Sequence, residues 1–529
     1  MKKIRLFATA FLTATVLMFT ACQGTSKLPI ADTEDPTIFP DDDKNDPLAE
    51  LSSVEMASKL TIGWNLGNTL DANSETGWGM PMTTKAMIDA VAAAGFKTIR
   101  IPVSWHYHVN SDYQIDTTWM ARVKTIVDWA LENDMYVILN VHHDNISISK
   151  FNSTPGFCIT DNQKYQTESK KYLNKVWIQI AKEFANYDNK LIFEVLNEPR
   201  DIDGEWKGNE WSTNSSEVMD IITNYEQTCI KAIRSIKGNK NRFLMIPGYA
   251  ASGSDPNMLK LFKMPSDVDG VNDKLLLSTH AYSPYDFAMN NMTDTEFGSD
   301  DESSLDSIFT YLKNTYTDKG IGVVMGEASA SDKNNLAERI KWTNYYFAKA
   351  KAAGIPVVLW DNMVLYPSNN PAENHGYFDR TTLTWYYPTM IKAMMDTVGV
   401  TNYQLPEFIT QTPDTIGWNE SNSRTLISTT ITLGWNNKNS IPAQASVKQG
   451  SILKITTTAG TSFRMINNDW TYNYNNGTIV NGKGGENITA TEKEVYYVLT
   501  SDDATKLKSG ELFFAGPTDS KISKVQIQY

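Results

Sequence analysis

Between about residues 51 and 400, short apolar runs rich in β-branched side chains alternate with longer stretches of helical period, and this alternation constrains the fold more than any other feature of the chain. The runs are 60–66, 98–101, 136–141, 191–196, 242–247, 274–279, 321–325 and 356–360, eight in all. Runs lacking polar alternation belong to strands with both faces covered, which implies parallel strands packed under helices. One helix is marked by Trp119, Val123, Ile126, Val127, Ala130 and Leu131, and others are expected at about 165–186, 216–236 and 332–353. Gly95, Gly238 and Gly354 stand where helices should end. Eight such units predict an α/β fold, a (β/α)8 barrel, whereas an open doubly wound sheet would show a phosphate-binding glycine turn after its first strand, which this sequence lacks.

The flanks differ in character. Lys2, Lys3 and Arg5 precede an apolar run from Leu6 to about Phe19, then Thr20, Ala21 and Cys22, the layout of a secretory signal over 1–21. The run is short for a membrane span. Small residues before a cysteine resemble a lipoprotein signal, with Cys22 the lipidated first residue of an exported protein; ordinary cleavage near Ala21 is the alternative. Residues 22–47 hold four prolines and many acidic side chains and read as an extended tether. The barrel is expected over 48–400, a linker over 401–410, and a smaller all-β sandwich over 411–529, with strands at 451–457, 494–500 and 521–528. The echoes Ile416-Gly417-Trp418-Asn419 and Leu433-Gly434-Trp435-Asn436 are too brief to define a repeat.

A formal charge of −13 argues against nucleic acid as partner and favours a neutral ligand. With three cysteines there is no disulfide framework, and Cys158 and Cys229 are left either bridged or free.

Barrel enzymes carry their chemistry where strands end. Arg100 closes the second run; His142 and His143 follow the third, Asn197 and Glu198 the fourth, His280 and Tyr282 the sixth, Glu327 the seventh, and Trp360 ends the eighth. All six histidines fall at strand ends or in the loops after them. Two glutamates across one barrel mouth suit glycoside hydrolysis, where one protonates the leaving oxygen and the other attacks or activates water. Proline at 102 requires the second strand to finish at about Ile101.

The segments Gly67-Asn68-Thr69-Leu70, Gly77-Trp78-Gly79, Thr98-Ile99-Arg100-Ile101-Pro102-Val103, Val141-His142-His143, Asn197-Glu198-Pro199, His280-Ala281-Tyr282, Gly326-Glu327 and Val358-Leu359-Trp360-Asp361-Asn362 together resemble glycoside hydrolase family 5, and in detail its subfamily 4. The resemblance implies a retaining endo-β-1,4-glucanase acting on cellulose-like, mixed-linkage or xyloglucan chains without a cofactor or metal. It implies Glu198 as acid/base, with a carboxyl titrating above a free Glu, and Glu327 as nucleophile, about 5 Å away. Arg100 would hold Glu327 anionic, Asn197 would bind the sugar 2-OH, and His280 and Tyr282 would orient the carboxylates, with His142 in support. Asn68, Trp78 and His143 would line the glycone side, and Trp360 would lie beneath the sugar at the cleavage point.

Each residue also has a plainer reading. Trp78 and Trp360 could be core, Arg100 a structural ion-pair partner, and the histidines a metal site, although adjacent His142 and His143 should face opposite ways on an extended segment. Xylanase or mannanase activity, or a surface glycan-binding lipoprotein without catalysis, are the rival functions. Trp418, Trp435, Trp470, Tyr472 and Tyr474 make the C-terminal domain a candidate carbohydrate-binding module, unless they form its core. The expected partner is a β-glucan, the only membrane association a lipid anchor at the bacterial cell surface or facing the periplasm, and the chain a monomer.

Overall fold

The computed structural model describes residues 46–529 apart from 291, 367, 369, 409–410, 437–438 and 485–486. The signal segment, Cys22 and all but the last two residues of the tether lie outside the described residues.

Eight parallel strands close into a barrel in chain order: β1 (Ile62–Asn65), β2 (Thr98–Ile101), β3 (Tyr136–Asn140), β4 (Leu191–Glu194), β5 (Leu244–Ser252), β6 (Leu275–His280), β7 (Val323–Ala328) and β8 (Val357–Leu359). Every predicted run supplies one strand, and β2 stops at Ile101 as Pro102 requires. β5 differs by running on to Ser252: Pro247 offers no N–H, the register breaks there, and Ala250 N–H donates to Pro199 O so that the chain leans toward the end of β4. Helices Thr117–Glu132, Gln163–Glu183, Ser216–Arg234 and Leu336–Ala352 match the expected segments. Gly95 and Gly354 each follow a helix cap directly, with φ of 101° and 73°; Gly238 falls three residues past the Ser235 cap, inside the turn to β5.

The floor of the barrel is sealed. Helix Ser53–Leu60, closed by a Ser52/Glu55 capping box, drives Met56, Ala57 and Leu60 against Ile138, Ile192, Met245, Val324 and Val358. A ligand therefore enters from the opposite rim, where the strands end. The tether reaches the body earlier than expected: Asp46 accepts hydrogen bonds from Asn189 N (2.7 Å) and Nδ2 (2.9 Å), and Pro47 opens a short 3-10 helix.

The segment expected to be a linker is clamped to the barrel. Gln404 N–H donates to Ala93 O, Trp385 N–H to Pro406 O, and Phe408 N–H to Trp385 O. Beyond it two five-stranded antiparallel sheets enclose a core that includes Leu453, Phe463, Tyr497, Phe514 and Ile527, the predicted sandwich. The predicted strands lie at Ile452–Thr456, Glu494–Val498 and Lys521–Ile522 with Lys524–Gln528. Among the described residues one α-helix, Ser501–Lys508, interrupts the all-β pattern; Thr500 and Asp503 form its capping box.

Candidate active site

The barrel's register brings the chemistry together. Asn65 on β1 sits beside Arg100 on β2, Asn140 on β3 beside Glu194 on β4, and His280 on β6 beside Glu327 on β7. At the centre is Arg100, fully buried. Its Nη1 donates to Glu327 Oε1 (2.7 Å) and Asn65 Oδ1 (3.0 Å), its Nη2 to Asn197 Oδ1 (2.7 Å), and its Nε to Glu194 Oε2 (2.8 Å). Burial alone would make the guanidinium easier to deprotonate, but the charges of Glu194 and Glu327 reverse that and hold it cationic. A buried cation between two buried anions keeps its geometry because each lost partner would strand a charge.

Glu327 also accepts from Tyr282 Oη (2.8 Å), and burial followed by the Glu327 charge pushes that phenol well above its usual range. His280 Nδ1 lies 2.9 Å from Glu198 Oε1 and 3.7 Å from Glu327 Oε2. One ligating atom each from Glu198, His280 and Glu327 fall within 4.8 Å of one another, so the two carboxylates face each other at short range.

Burial would raise the Glu198 carboxyl, but the hydrogen bond and charge of His280, then Arg200 and His143, outweigh burial and hold it at about 2. Burial would lower the His280 imidazole, yet the Glu327 and Glu198 charges raise it above its ordinary value. The Glu198 carboxyl and the His280 imidazole thus titrate together as one coupled pair.

The cleft over this centre encloses about 860 Å³. Asn68, Trp78, His142, His143 and Trp360 all line it, as do Asn197 and Tyr282. Trp78 is 47 % exposed, which excludes a core role, with its ring 5.8 Å from His143. Trp360 is 8 % exposed and parallel to the His142 ring at 6.1 Å. Its seat depends on Gly67, where a Cβ would stand 2.8 Å from Asp361 O and 3.0 Å from the Trp360 ring. Asp361 fixes the loop after β8, accepting from Trp64 Nε1 and from the backbone N–H of Met363, Tyr377 and Phe378.

His142 and His143 were expected to diverge, but β3 ends at Asn140, both rings turn to the cleft, and their centroids are 4.4 Å apart. Burial, then the neighbouring His143 and Arg100, push the His142 imidazole well below its usual range; burial and Arg200 hold His143 at about 4. Asp71, His142 and His143 offer three atoms within 4.8 Å, as a cation would need. The Asp71 carboxylate, however, is engaged by Asn68 and Thr69 N–H, and His142 Nδ1 by Asn140 Nδ2. Not every histidine serves the cleft: His106 packs on Tyr107 and His108 on Trp119. Cys158 and Cys229 are free and buried, and burial pushes the Cys158 thiol up to about 12.

Sequence reasoning passed over Glu194, which accepts from Arg100, Asn140 Nδ2 (2.8 Å) and Ser278 Oγ (2.5 Å) beneath the glutamate pair. A carboxylate inside an otherwise apolar run was its signal. Arg200 was also missed: it reaches Glu198 O and Oε2, pairs with Glu210, and stacks 4.0 Å from the Trp211 ring, 55 % of which is exposed at the rim.

A sealed barrel with two facing carboxylates at the strand ends, one held by a buried arginine and one by a histidine, under an aromatic-lined cleft, is the arrangement of a glycosidase site. The chain belongs to the cellulase family, glycosyl hydrolase family 5, whose model matches residues 64–364. It is 39 % identical over 357 residues to a cellulase/esterase, CelE, from Acetivibrio thermocellus, covering 67 % of this chain and 41 % of that one. It is 40 % identical over 360 residues to Endoglucanase A of Clostridium longisporum, covering 65 % of each. The chain thus spans less than two thirds of either relative. Among solved structures, a GH5-4 broad specificity endoglucanase from Ruminococcus champanellensis with bound cellotriose shares 38 % identity at a TM-score of 0.59, covering 65 % of this chain and 98 % of that one.

Proposed function

We propose that this protein is a retaining endo-β-1,4-glucanase of subfamily 4 that cleaves internal bonds of plant β-glucans by double displacement. The observation that carries the reading is the short approach of Glu198 and Glu327, within 4.8 Å, which leaves no room for the water that an inverting pair holds between its carboxylates. Glu327, fixed by Arg100 and Tyr282, attacks the anomeric carbon; the bond to the leaving oxygen breaks as Glu198, paired with His280, delivers a proton to it, and a glycosyl-enzyme forms. Glu198 then takes a proton from water, which attacks the same carbon and frees Glu327 with net retention. The Asn197 carbonyl is taken by Arg100, so its NH2 is the end suited to the 2-OH. Trp360 and Trp78 offer flat faces for sugar rings, supported by the cellotriose bound in the solved relative.

The same reading takes Cys22 as a lipid-modified residue anchoring an exported monomer to the outer membrane, and the C-terminal sandwich as a carbohydrate-binding module. A 2-deoxy-2-fluoro cellobioside with a good leaving group tests the mechanism: it should leave one fluorocellobiosyl disaccharide on the protein as the aglycone departs, and peptide mass spectrometry should place it on Glu327. A label on Glu198, or none with turnover intact, would overturn the assignment.

A further inference from the structure

The aromatic side chains of the sandwich divide into two sets. Tyr474 is fully buried with its hydroxyl on Glu511 O, Tyr472 bonds Asp503, and Trp418 packs edge-on against Tyr496. Trp435 and Trp470 stay out: each is 41 % exposed, their centroids lie 6.4 Å apart, and their planes are inclined by 41°. Arg464, from strand Ser462–Ile466, sets its guanidinium carbon 5.4 Å from the Trp435 ring and 5.8 Å from the Trp470 ring, and its Nε donates to Asn487 Oδ1.

The turn carrying Trp470 is built to hold that indole out. Its φ is 65°, in the left-handed region that bulky side chains avoid. Asn467 O accepts from Trp470 N–H, the Asn467 side chain accepts from Tyr472 N–H and donates to Thr471 Oγ1, and Asp469 accepts from Thr471 N–H and Oγ1. A strained residue persists where its surroundings over-determine it, and such residues cluster where ligands are held.

We infer that Trp435, Trp470 and Arg464 form a glucan-binding site separate from the catalytic cleft, taking a single soluble or amorphous β-glucan chain; this rests on reading the sandwich as a carbohydrate-binding module. The apolar faces of β-linked glucose units lie on indoles, and their equatorial hydroxyls reach the rim beside the bonded Arg464 and Asn487 side chains. Two planes inclined by 41° cannot both lie flush on a flat crystalline face, but they can follow the twist of a free chain. A second copy of the protein is a poor occupant: two partly exposed indoles offer at most roughly 150–250 Å² each, against about 800 Å² per partner in a stable interface. The net charge of −13 disfavours an acidic polysaccharide.

The test uses the full chain carrying Glu327→Gln, so that polymer is not consumed, with and without Trp435→Ala and Trp470→Ala. Affinity electrophoresis through barley β-glucan should show the double tryptophan variant bound at least 10-fold more weakly, with an unchanged melting temperature. Amide exchange with mixed-linkage oligosaccharides should show protection at 434–436 and 464–472 in the parent. Protection elsewhere on the sandwich, with retardation unaltered by the substitutions, would sink this site but leave the module reading standing. Protection confined to the barrel cleft would sink both. Tighter binding to crystalline cellulose or to polygalacturonate than to β-glucan would overturn the ligand class.

Discussion

His280 stands between the two carboxylates, with Nδ1 2.9 Å from Glu198 and 3.7 Å from Glu327. Its raised imidazole and the Glu198 carboxyl at about 2 form a charged pair, and each shift carries a sign. A raised histidine stabilises the fold fully below its unfolded value and loses that contribution as pH rises through its folded value; a depressed carboxyl contributes above its unfolded value and loses it as pH falls toward about 2. The pair is therefore intact between the ordinary carboxylate range and the raised imidazole. For catalysis, the alkaline limb of kcat/KM reports loss of the shared proton and should lie above ~6.5, the unperturbed imidazole value. His280→Gln leaves Glu198 as the only carrier of the shared proton, so the limb, set by the raised imidazole in the parent, should move to lower pH while kcat/KM at its optimum falls by ~10²-fold. A limb that stays in place would assign the acid elsewhere. At this scale the sequence revealed Arg100, Asn197, Glu198, His280, Tyr282 and Glu327 as residues that meet in one cleft. It did not reveal Glu194, hidden inside an apolar run, whose contact with Arg100 depends on the register of separate strands.

The loops after β1 and β8 position Trp360 through a contact of backbone with ring. Gly67→Ala would set a methyl against Asp361 O, a rigid carbonyl in a loop tied by four hydrogen bonds to the Asp361 carboxylate. Overpacking of this kind costs about 1–3 kcal/mol. The variant should melt several degrees lower and show a raised KM on soluble β-glucan, with kcat less affected; thermal denaturation and steady-state kinetics check this, and wild-type values in both would show that the loop yields freely. All eight strands were legible because a barrel strand buried on both faces leaves a continuous apolar run. Elements whose form depends on partners were not. The clamped segment around Pro406 looks like a linker until Ala93 and Trp385 are beside it, and helix Ser501–Lys508 is too short and charged to show a hydrophobic period, although its Thr-x-x-Asp box was readable.

At the scale of the molecule, a family 5 barrel floored by helix Ser53–Leu60 is joined through a clamped segment to a sandwich whose two outward tryptophans sit apart from its core. In the proposed reaction the spacing of Glu198 and Glu327 decides the outcome, since the same acids set farther apart would admit water and invert the sugar. That choice is written into the product before mutarotation erases it. Proton NMR of cellotetraose or barley β-glucan digestion, followed from the first minutes, reads it directly: the newly formed reducing ends should appear first as the β-anomer and drift to the equilibrium mixture. Initial appearance of the α-anomer would contradict the account at its centre.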